Sequence, residues 1–183
     1  MSGVAFGGHK EKSVDDVKWV IARQIPHLRR FALALAKNPD QADDLVQDCL
    51  ERALKKRHLW HHRGSLRSWL FSMLYRTHID HHRAHRRRDL PTAHEVINAR
   101  QTQPANQEHH VECRNIGEAL DRLPDDQRSA VLLVALEGFT YDEAAEVLKV
   151  PIGTVRSRLS RGRQALRDLR ASAMQPRILR RVK

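Results

Sequence analysis

The sequence predicts an all-α protein: two small helical domains joined by a flexible linker, the C-terminal one containing a helix-turn-helix. Three observations carry this. Apolar residues recur every three or four positions over several long stretches, with no alternating strand pattern anywhere. Residues 89–110 break that rhythm with Pro91, Pro104 and several Gln and Asn. Finally, Thr140-Tyr141-Asp142-Glu143, followed by Lys149-Val150-Pro151, reads as a short capped helix, a tight turn and a second helix.

Residues 1–13 are Gly-rich and then charged, and are expected to form a disordered N-terminus. Val17, Ile21, Ile25, Leu28, Phe31 and Leu35 then mark an amphipathic helix over about residues 14–37, which Pro26 is expected to kink or restart. In Asn38-Pro39-Asp40-Gln41, Asn38 can cap, Pro39 suits the first helical position and Gln41 stands where a capping-box partner belongs. The helix that starts there should turn Ala42, Leu45, Val46, Cys49, Leu50, Ala53 and Leu54 inward, and show Asp43, Asp44, Gln47, Asp48 and Glu51 outward. That acidic face is an exception in a basic chain. After the turn signal Arg63-Gly64-Ser65, a third stripe (Leu66, Trp69, Leu70, Met73, Leu74, Ile79) passes into the basic run 81–88. Among aromatics, Trp69 reads as core, leaving Phe71 and Tyr75 for an outward role.

The first domain is thus placed at 14–88, a linker at 89–112, a second domain at 113–172 and a basic tail at 173–183. In the second domain, Ile116, Ala119, Leu120 and Leu123 lead to Pro124, where one helix ends and another starts. Val131, Leu132, Val134, Ala135 and Leu136 should form a mostly buried helix stopped by Gly138. Thr140 begins the short helix, in which Ala144 and Ala145 permit a close neighbour. In the last helix Ile152, Val155, Leu159, Gly162, Leu166 and Leu169 advance by three and four, which leaves Thr154, Arg156, Ser157, Arg158, Ser160, Arg161, Gln164 and Arg167 outside. An Arg/Ser/Thr face on the second helix of such a pair is the plan for entering the DNA major groove, where Arg reads guanine edges and Ser or Thr contacts phosphate.

Lys and Arg number 33 against 22 Asp and Glu, a formal charge of +11 before any of the 12 His contributes. Such an excess points to a polyanionic partner. No apolar run is long enough to span a bilayer and no secretory leader is apparent, so a cytoplasmic protein without membrane insertion is expected. The two cysteines, Cys49 and Cys113, suggest neither a disulfide framework nor a Cys-rich zinc site; Cys49 should pack as a small hydrophobe. His78, His82 and His85 have spacing that can ligate zinc, but cationic neighbours and the lack of an accompanying Cys or Glu argue against it. No P-loop, nucleophile elbow or paired-carboxylate arrangement occurs, so neither a catalytic site nor a cofactor is expected. The tail Arg177 to Lys183 suits solubility or nonspecific phosphate contact.

The stretch from Leu123-Pro124 through Gln127-Arg128, then Gly138-Phe139-Thr140-Tyr141-Asp142-Glu143-Ala144-Ala145, then Pro151-Ile152-Gly153-Thr154-Val155-Arg156-Ser157-Arg158-Leu159, resembles the fourth conserved region of extracytoplasmic-function (ECF) sigma factors. Upstream, 42–48, 64–70 and Ile79-Asp80 with Arg83 resemble the second region, in family order. The resemblance implies an RNA polymerase sigma factor. Asp44, Gln47 and Asp48 would dock on core RNA polymerase. Arg76, His78, Arg83, Arg86 and Arg87 would meet the minus-ten element of promoter DNA as a melted single strand, and Thr154, Arg156, Ser157, Arg158 and Arg161 the minus-thirty-five element as duplex. An anti-sigma factor is an implied partner. Two departures stand out: Arg76 replaces a common Asn, and Gly162 replaces a usual Ala at a helix cost of roughly 1 kcal/mol. The rival reading is a stand-alone helix-turn-helix regulator that binds a palindrome as a dimer.

Overall fold

The structure is a computed structural model that describes residues 14–56, 65–88 and 116–174. The expected N-terminal segment 1–13, the linker 89–112 and residues 175–183 of the tail lie outside the described residues. Those described are helical, with no strand among them.

Helix α1 (Val14–Ala36) runs through Pro26 without a break. Pro26 sits on the exposed side, where the carbonyl that its missing N–H leaves unpaired can be hydrated, so the helix does not restart there. α1 buries Ile21, Leu28, Phe31, Ala32 and Leu35 and ends at Lys37, a left-handed residue whose amide closes on the Leu33 carbonyl at 3.0 Å. α2 (Pro39–Lys55) starts as its sequence dictates, with Pro39 in the first turn and the Asn38 side chain accepting from the Gln41 amide at 3.0 Å. Ala42, Leu45, Val46, Cys49 and Ala53 face inward. Leu54, expected with them, is 40 % exposed: successive helical residues point about 100° apart, and Ala53 takes the inward direction. Burial pushes the Cys49 thiol up to about 12, and the group donates to the Leu70 carbonyl. It is a packing residue.

α3 (Leu66–Arg88) is entered through Ser65, whose hydroxyl accepts from the Arg67 amide at 3.2 Å. It is flanked on two sides, by α1 and α2 and by the C-terminal half of the chain. The aromatic assignment therefore inverts: Phe71 is fully buried, 5.2 Å from Phe31 and 4.9 Å from Phe139, whereas Trp69 is half-buried.

Residues 116–121 are helical and lead to α4 (Asp125–Val131), which widens into a π-helical turn at Leu132–Leu136. The i→i−5 closure takes one extra residue into the turn and shifts which side chains face inward. Leu136, expected inside, is 40 % exposed, Ala135 is exposed too, and Glu137 is buried instead. Gly138 stops the helix at φ +69°. Thr140 and Glu143 form the full capping box of α5 (Tyr141–Leu148), with amide bonds of 3.2 and 2.9 Å. Lys149 turns left-handed at φ 55°, and α6 (Ile152–Met174) follows. α6 packs on α4 and α5. Gly162 explains itself here: a Cβ would stand 2.8 Å from Val131 Cγ2.

The two halves share one apolar core that runs from α1 to α6. Polar contacts stitch the same seam. The Glu137 carboxylate, with no exposed side-chain surface, meets His27 Nδ1 at 3.1 Å, Arg30 Nε at 2.9 Å and Arg67 Nη2 at 3.3 Å. The buried Arg128 of α4 bonds Asp125 and reaches the Leu35 carbonyl at the end of α1 at 3.4 Å, where a helix leaves carbonyls unpaired. Lys37 Nζ donates to the Asp121 carbonyl at 2.6 Å.

Candidate nucleic-acid interface

α6 presents its expected face to water. Arg156, Ser157 and Arg161 are exposed, and Thr154 and Arg158 are half-buried. The Arg158 Nε lies 3.2 Å from Asp126 of α4, which leaves 24 % of its side chain exposed and holds its guanidinium in one direction. The Arg156 guanidinium sits 6.0 Å over the Tyr141 ring. Because the capping box fixes the start of α5 and the left-handed Lys149 fixes the turn, the orientation of α6 is set by local chemistry.

A shallow groove of about 280 Å³ opens beside this face, lined by Tyr141, Arg156, Leu159, Ser160, Arg163 and Arg167. Arg163 and Tyr141 were not singled out from sequence. The signal was present: 156, 160, 163 and 167 follow the i, i+4, i+7, i+11 spacing of a single helical face. Three guanidinium groups with a Ser hydroxyl are suited to phosphate oxygens.

On α3, Arg76 and Arg83 are exposed, and the side chains of Arg86 and Arg87 lie outside the described part of the structure. His78 is not with them. It is buried, and desolvation pushes its imidazole down to about 4, assisted by His82, Arg128 and His81 and opposed by Asp125. Tyr75 is half-buried beside it; burial raises its hydroxyl, and a bond with Ser129 of α4 opposes that. His82 Nε2 lies 3.7 Å from Asp125. The α3 side carrying Tyr75, His78 and His82 is therefore turned to α4, and in this arrangement His78 cannot touch a nucleic acid.

Asp44 and Gln47 are exposed on α2, with Asp48 half-buried beside them at 3.3 Å from His81 of α3. Asp43 is engaged by Arg29 through two bonds of 2.9 Å, and Lys55 and Gln47 reach Glu51 at 3.4 and 3.5 Å. Exposed pairs of this kind add little stability. The acidic strip is thus available to a partner.

Of the histidines considered as zinc ligands, His78 and His82 have ring centroids 6.2 Å apart, and the His85 side chain lies outside the described part. Among the described residues, no three His, Cys, Asp or Glu groups converge in a way that could hold a metal ion. Among them also, no helix is long and apolar enough to cross a membrane.

The family model of sigma-70 region 4 matches residues 113–166, and that of the sigma2 domain of PhyR matches residues 21–75. The chain is 37 % identical over 155 residues to the ECF RNA polymerase sigma factor EcfG of Rhodopseudomonas palustris, covering 85 % of each. It is 32 % identical over 165 residues to the RNA polymerase sigma factor HrpL of Pseudomonas syringae, covering 87 % of this chain and 89 % of that one. Among solved structures, the sigma factor RpoE of Bartonella quintana, crystallised with the anti-sigma factor NepR, superposes with a TM-score of 0.76 at 32 % identity. The match covers 86 % of this chain and 98 % of that one.

Proposed function

The chain belongs to the ECF RNA polymerase sigma factors, and from that membership we infer that it binds core RNA polymerase and directs promoter-specific transcription initiation, in a stress or envelope response under anti-sigma control. The observation that carries the reading is α6: a helix held at a fixed angle by a capping box and a left-handed turn, with Arg156, Ser157 and Arg161 in water. Thr154, Arg156, Ser157, Arg158 and Arg161 read the minus-thirty-five element in the major groove, and Arg163 and Arg167 hold adjacent phosphates. Asp44, Gln47 and Asp48 form the polymerase-docking face. Arg76, Arg83, Arg86 and Arg87 meet the minus-ten element as single strand, joined by His78 once α3 is uncovered. Residues 14–88 and 113–172 act as the region 2 and region 4 domains. The factor works in the cytoplasm, has no catalytic chemistry of its own and requires no cofactor. The complex of the Bartonella RpoE with NepR supports an anti-sigma protein as the restraining partner.

Run-off transcription with core polymerase on a library of promoter fragments tests this. Specific transcripts that require both core and this protein are expected, with start sites that align two promoter elements. A protein that shifts duplex DNA alone and never directs initiation would instead be a stand-alone regulator.

A further inference from the structure

The seam between the two halves has a centre. Glu137-Gly138-Phe139 leaves the π-turn and enters a recess on α1 and α3 built from His27, Arg30, Phe31, Arg67 and Phe71. Each component of that recess has a counterpart on the segment. The carboxylate accepts from two guanidinium groups and faces the His27 ring nitrogen, all supplied by the other half. The Arg67 guanidinium also donates to the Glu137 carbonyl and lies 4.2 Å over the Phe139 ring and 5.4 Å over that of Phe71. Arg30 adds a bond of 3.2 Å to the Leu136 carbonyl. Phe139 is buried against Phe71. An aromatic anchor supplies apolar burial, and a buried carboxylate that needs three donors in place fixes the register.

We propose that Glu137-Gly138-Phe139 is a latch by which the free chain closes its C-terminal half over α3, and that its release uncovers the Tyr75, His78 and His82 side of that helix. What it covers is the physical point: Tyr75 bonds Ser129 and His78 is buried near Asp125 and Arg128, while His82, still exposed, faces Asp125 at the rim, all three being contacts with α4. Arg128 at the end of α1 is a second fastening on the same seam. The recess is a surface specific for a segment in which an acidic residue precedes an aromatic one by two positions, and in the closed chain the occupant is the chain itself. That the uncovered side of α3 then meets single-stranded DNA rests on the function proposed above; the latch does not.

The test uses the full chain and two readouts that need no DNA: the radius of gyration by small-angle scattering, and the rate at which diethylpyrocarbonate modifies His78, read by mass spectrometry. His81, half-exposed and paired with Asp48 within the first half, is the internal reference. Glu137→Arg places a guanidinium against Arg30 and Arg67. It is expected to enlarge the particle and to speed His78 modification at least about tenfold, with His81 unchanged. Glu137→Gln, which keeps the shape and removes the charge, is expected to do the same to a smaller degree, and carries the test if Glu137→Arg loses helix content by circular dichroism. An unchanged radius, or a His78 still protected in a helical variant, overturns the latch. Affinity for a single-stranded minus-ten oligonucleotide is measured in parallel. An opened chain that gains none sinks the assignment of α3 to the single strand and leaves the latch standing.

Discussion

Helices α3 and α6 have the same length, 23 residues, and the same design, an apolar stripe with arginines around it, yet they meet solvent differently. α6 packs on α4 and α5 by one side and leaves Arg156, Ser157 and Arg161 in water. α3 is packed from two sides, so Phe71 and His78, which lie off its apolar stripe, are buried under the C-terminal half. Composition therefore does not decide whether a basic helix can reach DNA. What packs against it does: the outward face of α6 is open in the free chain, and the corresponding side of α3 is covered.

The largest expected effect falls on the covered side of α3. Phe71→Ala removes the ring that joins Phe31 to Phe139, at an expected cost of about 3–5 kcal/mol in denaturant unfolding, the range for a large aromatic in a core. A loss near zero would mean that α3 is not held from both sides.

Acidification probes the same cover. His78 has a folded value near 4, below the ordinary 6.5, so above pH 6.5 neither folded nor unfolded chain carries its proton. Between pH 6.5 and 4 the unfolded chain binds that proton and the folded chain does not, and stability falls across this window by up to about 3 kcal/mol before levelling below it. His78→Gln should flatten that fall. A variant whose stability drops as steeply as the parent's over the same window assigns the effect to other groups.

On the free face of α6 the effects are on binding. Arg156→Ala should change which promoters are chosen, costing about 1–3 kcal/mol at sites that carry its preferred base, as measured by competition between promoter fragments. Arg163→Ala, in the groove beside that face, should weaken all sites alike and reduce the slope of affinity against salt by about one. Equal behaviour of the two variants would erase the distinction between reading and holding.

The smallest effect concerns the back of α6. In an open helix Gly162→Ala would stabilise by roughly 1 kcal/mol. Here the added methyl meets Val131, a buried side chain with a stiff χ1, so a net loss of about 1 kcal/mol in thermal unfolding is expected, recovered in combination with Val131→Ala.

The local chemistry of this fold was written in the sequence. The Asn38-Pro39 start of α2, the Thr140–Glu143 capping box, the Gly138 stop and the outward face of α6 each depend on residues a few positions apart, and each is found as the local rules require. Most of what sequence reasoning missed depends on contacts thirty or more residues apart. Periodicity assigns α3 a single inward side, so it could not place Phe71 or His78 beneath a second neighbour. Glu137 offered a visible hint, a carboxylate directly after the apolar run Leu132–Leu136, but its three partners at 27, 30 and 67 belong to another part of the chain. Gly162 read as a flaw in a helix because the helix it lets approach was not in view.

The π-turn at Leu132–Leu136 gives the segment a sensitivity to counting. Its wide turn holds one residue more than an α-turn would, and that surplus is what rotates Glu137 toward α1 and Leu136 toward water. Removing any one residue between 132 and 136 would turn the same Glu137-to-Leu132 bond into an ordinary α-turn and leave the carboxylate at the seam, whereas an α-turn that kept all five would swing it about 100° away. The coupling between the two halves thus depends on the width of this turn as much as on its side chains. Among related chains, a single-residue gap there should go with an ordinary α-turn and a carboxylate in the same place.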